Sequence, residues 1–246
     1  MRFTTRLLHD KFPPDAATGA TTQPIFQTSA FYQSTAEDMA KIFAGRKPGF
    51  VYTRVGNPTI ASFERRINAL EGGVGAVACS SGMAAVTQAV LNILSQGDEL
   101  VAAGGLYGGT SSIFRDLASF GITVRYAKGD KVADFAAVIT EKTKLIYVET
   151  IGNPKLDVAD IAGLAELAHA HEVPLFVDNT VTTPYLCQPL KLGADVVIHS
   201  TSKAINGNGN SIGGIVVSGG TFKWNPAKFP KLKECPFGPM SFLVRL

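Results

Sequence analysis

The sequence predicts an α/β fold, three-layer, with a mostly parallel sheet covered by helices on both faces. Three observations carry that expectation. Short, nearly continuous apolar runs recur along the chain, amphipathic stretches at helical spacing separate them, and no repeat or low-complexity segment interrupts the alternation.

Residues 1–56 are rich in Thr, Gln, Pro and Phe with little periodicity. They read as an extended N-terminal arm with one short helix near 36–43, and such an arm needs a surface to pack on. At Asn57 the pattern sharpens. Asn57 can cap a helix, Pro58 suits its first turn, and Ile60, Phe63, Ile67 and Leu70 recur at helical spacing until Gly72 and Gly73 stop it. A strand over 75–79 then leads to a helix over 83–94, and a strand over 99–103 to a helix over 110–120. Further strands are expected at 122–126, 145–148, 174–177, 196–198 and 215–217, with a helix over 161–171 between two of them. The expected organisation is an arm over 1–56, a large domain over 57–224, and a further C-terminal region opening at 225–246.

Composition narrows the functional classes. At 46% hydrophobic and 17% charged residues the chain is globular, not disordered. The net charge of +3 is spread without a basic tract, which argues against nucleic acid and toward a small-molecule partner. Cys79, Cys187 and Cys235 are odd in number, with no CxxC spacing and no paired histidines nearby, so neither disulfides nor a metal site are expected, and a reducing cytoplasm fits best. The first residues meet Asp10 and two prolines before any apolar run develops, unlike a signal peptide. No stretch approaches the roughly 18 apolar residues of a membrane span.

Open parallel sheets bind ligands at the carboxyl ends of their strands. The loops there read SSGM, GGLYGG, ETIGN, VDN and HSTSK. The glycine-rich tract after Lys203 is neither familiar nucleotide loop: Ile212 stands where a dinucleotide fingerprint needs its third glycine, and Lys203 precedes the glycines where a P-loop lysine follows them. In "CSSGMAA", Ser80, Ser81 and Gly82 sit where a strand turns into a helix, so backbone N–H groups and hydroxyls can face one anion. Taken alone, the turn is more often a plain helix cap by Ser81. Asp178 ends the buried run "PLFVDN"; it either closes a local turn or meets a cationic partner such as a protonated ring nitrogen. Lys203 by itself reads as a surface charge, but lysine is also the residue that forms a Schiff base with an aldehyde. Tyr107 offers a flat surface for stacking. Together, a phosphate cradle, a carboxylate, an imine-forming lysine and a stacking ring are what pyridoxal 5'-phosphate demands.

Through "YTRVGNPT", "SSGMAA", "LYGGT", "ETIGNP", "VDNT" and "HSTSKAINGNGNSIGG" the chain resembles the Cys/Met-metabolism enzymes that use pyridoxal phosphate on the fold-type-I, aminotransferase-like large domain. The resemblance implies that Lys203 is the Schiff-base residue and then shuttles protons, and that Tyr107 stacks on the ring and assists. It pairs Asp178 with the pyridine nitrogen and puts Asn153 near the phenolic oxygen. Ser81, Gly82, Met83, Ser200 and Ser202 would hold the phosphate, while Tyr52 and Arg54 would reach the phosphate of a neighbouring subunit in a homo-oligomer, dimer or tetramer. Ser202 stands where the family usually has Thr, and Asn208 where many members have His. The family's C-terminal domain supplies an arginine for the substrate carboxylate; Arg245 is not in that motif and receives no such role.

Within the family, "AGRKPGFVYTRVGNPT" and "IGGIVVSGGTFKW" look most like the O-acetylhomoserine sulfhydrylases. That resemblance implies a γ-replacement on an amino-acid substrate, in which sulfide displaces acetate to give homocysteine. The methionine γ-lyases and cystathionine γ-synthases or γ-lyases share nearly all these residues, but Gly109 lacks the thiol that methionine γ-lyases carry there. A reading of another class is a truncated cofactor-binding or assembly remnant without turnover.

Overall fold

The computed structural model describes residues 2–9 and 14–246; Asp10 and the first of the two prolines after it lie outside the described residues. The chain divides into two compact units, Met1–Arg66 and Ile67–Leu246.

The first unit carries helices α1 (Phe3–His9), α2 (Ala36–Phe43) and the start of α3 (Pro58–Glu71). The arm is thus less extended than its composition implied, because α1 is added to the expected α2. Thr35 begins α2 by accepting the Asp38 amide at 3.0 Å. Asn57 caps α3 as expected: its Oδ1 accepts the Thr59 amide at 2.9 Å, while its Nδ2 donates to the Phe26 carbonyl at 2.9 Å.

The second unit is built on a seven-stranded sheet of β1 (Gly75–Cys79), β2 (Glu99–Ala102), β3 (Thr123–Tyr126), β4 (Thr143–Glu149), β5 (Leu175–Asp178), β6 (Val196–Ser200) and β7 (Gly214–Ser218). The spatial order is β1-β7-β6-β5-β4-β2-β3. Strands β3, β2, β4, β5 and β6 pair in parallel, and β7 runs antiparallel to both β6 and β1. Its helices are the end of α3, α4 (Gly82–Ile93), α5 (Gly108–Asp116), α6 (Val132–Ala136), α7 (Ile161–Ala170), α8 (Thr183–Leu186) and α9 (Ser241–Arg245). The helix expected over 110–120 is α5 followed by a tighter 3₁₀ turn, Leu117–Phe120, closed by Gly121 at φ 71°.

Side-chain alternation along the strands divides the core in two. Leu145, Tyr147, Phe176, Val196, Ile198 and Val216 face α4 and α5, whereas Ile146, Val148, Leu175 and Val177 face α7. Phe229 and Phe242, from the last stretch of chain, complete the α4 side, where Trp224 stacks on Phe242 at 5.1 Å. Arg245 donates to the carbonyl and side-chain oxygens of Asn92 at the end of α4. Among the described residues no helix is long and apolar enough to cross a membrane. Among the described residues Cys79, Cys187 and Cys235 form no disulfide.

Candidate active site

The strand polarity decides where chemistry can gather. β1, β4, β5 and β6 end at one edge of the sheet with Cys79, Glu149, Asp178 and Ser200, and the loops that follow bound a cavity of about 480 Å³. Ser81, Gly82, Met83, Tyr107, Asn153, Asp178, Ser200, Ser202 and Lys203 all line it. Residues from five separate loops thus meet at one place, as a switch-point site requires. Tyr52 and Arg54 belong to the first unit, where the Arg54 guanidinium stands 5.5 Å from the centre of the Tyr52 ring.

The local bonds show what each group still offers. Ser81 is the N-cap of α4, and its hydroxyl oxygen accepts the Ala84 amide at 3.0 Å, so the plain capping reading is realised. The hydroxyl keeps its own proton to donate, and the first turn of α4 faces the cavity with its positive end. Gly82 has no room for a side chain: a Cβ there would stand 2.5 Å from the Ser200 Cβ and 2.9 Å from its Oγ. Only glycine lets the turn after β1 and the end of β6 close on each other. The Ser202 hydroxyl is bonded to Gly213 in both directions, accepting the amide at 3.0 Å and donating to the carbonyl at 3.3 Å.

Asp178 also closes its local turn, with Oδ1 accepting the Thr180 amide at 3.0 Å. Its Oδ2 lies 3.4 Å from the Tyr147 hydroxyl. Burial pushes the Asp178 carboxyl above its ordinary range, while the Thr180 bonds, the His199 ring and Tyr147 oppose that shift. A cation delivered to the cavity floor would relieve the cost of that buried charge. Lys203 is exposed at the cavity wall, in a turn where its carbonyl accepts the Gly207 amide at 2.9 Å. The glycine-rich tail separates into two parts: Gly207 and Gly209 sit at positive φ in a surface turn, whereas Gly213 and Gly214 pack tightly, against Thr201 and Ser81.

Sequence reasoning passed over three features. Glu149 lines the cavity, accepts the Tyr107 amide at 2.7 Å, and has its carboxyl pushed up to about 8 by burial and then by the Asp178 charge. The loop motif ETIGN contained it, but a carboxylate after an apolar run reads as the end of a strand. Thr180 accepts the Ser200 amide at 2.8 Å and ties the β5 and β6 loops together. Behind the edge, fully buried Glu71 takes His199 Nε2 at 2.6 Å and Asn179 Nδ2 at 2.9 Å on one oxygen.

A lysine, a buried carboxyl and a helix-terminal turn gathered at the carboxyl edge of such a sheet place the chain among the α/β proteins that work with a bound small-molecule cofactor. More narrowly, it belongs to the Cys/Met metabolism PLP-dependent enzyme family, which it matches over residues 4–236. An O-acetyl-L-homoserine sulfhydrylase from Leptospira meyeri is 42% identical over 92% of this chain and 52% of its own length. A homocysteine synthase from Schizosaccharomyces pombe is 43% identical over 94% of this chain and 55% of its own length. The chain therefore spans about half the length of these curated relatives. A solved structure designated an O-acetylhomoserine (thiol)-lyase, from Campylobacter jejuni, superposes with a TM-score of 0.87 at 33% identity, covering 93% of this chain and 57% of that one. That protein carries N'-pyridoxyl-lysine-5'-monophosphate. The sheet is accordingly that of the fold-type-I pyridoxal-phosphate enzymes.

Proposed function

We propose that this chain is the cofactor-binding part of an O-acetylhomoserine sulfhydrylase, which replaces the acetate of O-acetylhomoserine with sulfide to form homocysteine. The observation that carries the reading is the convergence of Lys203, Asp178, Tyr107 and the Ser81–Gly82–Met83 turn on one cavity. Its volume of about 480 Å³ lies within the roughly 300–1,000 Å³ of small-molecule sites. Its donors also fit pyridoxal phosphate: free helix-end amides for the phosphate, a carboxyl for the ring nitrogen and an amine for the aldehyde.

When bound, the cofactor supplies an electron sink that stabilises negative charge on the carbon bearing the substrate's amino group. The protein does the rest. Lys203 would hold the cofactor through its amine and would take and return protons at the substrate's α and β carbons. Asp178 would hold the proton on the ring nitrogen, and Tyr107 would offer its ring for stacking and assist proton transfer. Asn153 donates beside the phenolic oxygen. Ser81, Gly82, Met83, Ser200 and Ser202 would grip the phosphate, Ser202 by turning its hydroxyl proton away from the Gly213 carbonyl. Tyr52 and Arg54 serve the phosphate of a neighbouring copy, in a cytoplasmic homo-oligomer whose substrate is a small amino acid.

Purified chain given pyridoxal phosphate is expected to gain the cofactor's visible absorbance, and Lys203→Ala to lose it. The same chain with O-acetylhomoserine and sulfide is expected to release acetate and form homocysteine. A second reading, a cofactor-binding remnant, draws on the chain spanning about half of its relatives. Cofactor uptake without acetate release would establish the remnant and refute turnover by this chain.

A further inference from the structure

Glu149 ends β4 directly beside Asp178 of β5, in register, so the two carboxyl groups rise from neighbouring strands on the same face. It is only 8% exposed, too enclosed for a solvated charge. Its Oε1 accepts the Tyr107 amide at 2.7 Å. Tyr107 is the N-cap residue of α5 and makes no capping bond with its own side chain, so Glu149 supplies the acceptor which that helix end needs. The Tyr107 carbonyl accepts the Ser111 amide at 2.9 Å, so Glu149 and α5 hold the two sides of its main chain while its side chain has no such anchor. Tyr107 is 47% exposed, and Gly108 and Gly109 follow it without side chains. The space over Gly109 is taken by the ring itself, whose Cε1 would lie 2.6 Å from a Cβ at that position.

We propose that Glu149 is a positioning residue: it holds the Tyr107 main chain so that the tyrosine ring faces the cofactor cavity. Burial and the Asp178 charge push the Glu149 carboxyl up to about 8, against the opposing pull of the Tyr107 and Asn153 amides. The functional half of this assignment rests on the cofactor reading above, whereas the bond to Tyr107 does not.

Two readouts test it. In the cofactor-free chain, amide hydrogen exchange at Tyr107 is expected to be slow; Glu149→Met should speed it roughly tenfold, and Glu149→Gln, which keeps the acceptor, should restore it. In the cofactor-loaded chain, the visible circular dichroism of the bound cofactor should fall in Glu149→Met and Tyr107→Ala alike, recover in Glu149→Gln, and fall no further when Glu149→Met and Tyr107→Ala are combined. Unchanged exchange in Glu149→Met overturns the proposal. So does altered exchange with unaltered dichroism, since the bond would then not place the ring. Should Glu149→Met fail to fold, the unaltered chain decides: a Tyr107 amide that exchanges as fast as an unbonded loop amide overturns the assignment. A chain that takes up no cofactor refutes the reading above and not this one, which the exchange rates then decide by themselves.

Discussion

A methyl group at Gly214 tests how closely the phosphate-side turn is packed. Gly214 opens β7, paired with Cys79 of β1 and Ser200 of β6. A Cβ there would lie 2.1 Å from the Ser81 carbonyl oxygen, 2.5 Å from the Ser81 carbonyl carbon and 2.9 Å from the Gly82 nitrogen. Ordinary contact needs more than 3 Å, so in Gly214→Ala either β7 or the Ser81–Gly82 turn must move by about 1 Å. All three contacts are main chain, and no flexible side chain can absorb the strain. Overpacking typically costs ~1–3 kcal/mol, and the rigid contact puts this site at the upper end, less ~0.5 kcal/mol from the stiffer unfolded chain. A net loss of about 2.5 kcal/mol corresponds to a Tm lowered by ~5–10 °C for a domain of this size. The displaced turn also carries the Gly82 and Met83 amides away from the cavity, so pyridoxal phosphate affinity should fall as well. Thermal unfolding and cofactor titration measure both effects. Gly209→Ala is the control: it has positive φ but open space around its Cβ, and should cost only ~1 kcal/mol with cofactor binding intact. A Gly214→Ala chain within ~0.5 kcal/mol of the parent, with unchanged affinity, would refute the close-packing argument.

Other expectations concern buried charge. Because the folded-state pKa of Glu149 is raised to about 8 from an unfolded value near 4.5, the folded chain holds the extra proton between those values. Its contribution to stability is therefore lost as pH rises through that window and is constant above it, by an amount of at most ~5 kcal/mol. Denaturant unfolding of the parent and of Glu149→Gln at several pH values should show the parent losing stability relative to the variant between pH ~5 and ~8; parallel profiles would sink the assignment. Glu71→Ala strips His199 and Asn179 of the oxygen they share and should cost ~3–5 kcal/mol in urea unfolding, with Glu71→Gln recovering part of it.

The strands were legible because burial on both faces writes them as apolar runs; β1 matches the expected 75–79, and the others differ by one to two residues at their ends. Helices α6, α8 and α9 were not legible, being four or five residues long, too short for periodicity to register. α6 is held by a local cap instead, the Asp134 carboxyl accepting the Lys131 amide at 3.1 Å. At the cavity, the glycine- and hydroxyl-rich loops stood out only as a set, because each of them taken singly also reads as a plain cap or turn, as the Ser81 cap and the Asp178 turn show. Glu149 and the Glu71–His199 pair gave no such signal, since their meaning lies in partners 42 and 128 positions away along the chain.

The placement of β7 also makes one wall of the cavity depend on distant sequence. β1 touches the sheet only through β7, which is the last strand in the chain. Until residues 214–218 have entered between β1 and β6, β1 has no strand to pair with, and the Ser81 turn is held beside Ser200 only by the packing of α4 on β6. The Ser81 side of the cavity is therefore completed by a strand more than 130 residues further along the chain, so its shape depends on a long-range pairing and not on the local turn alone.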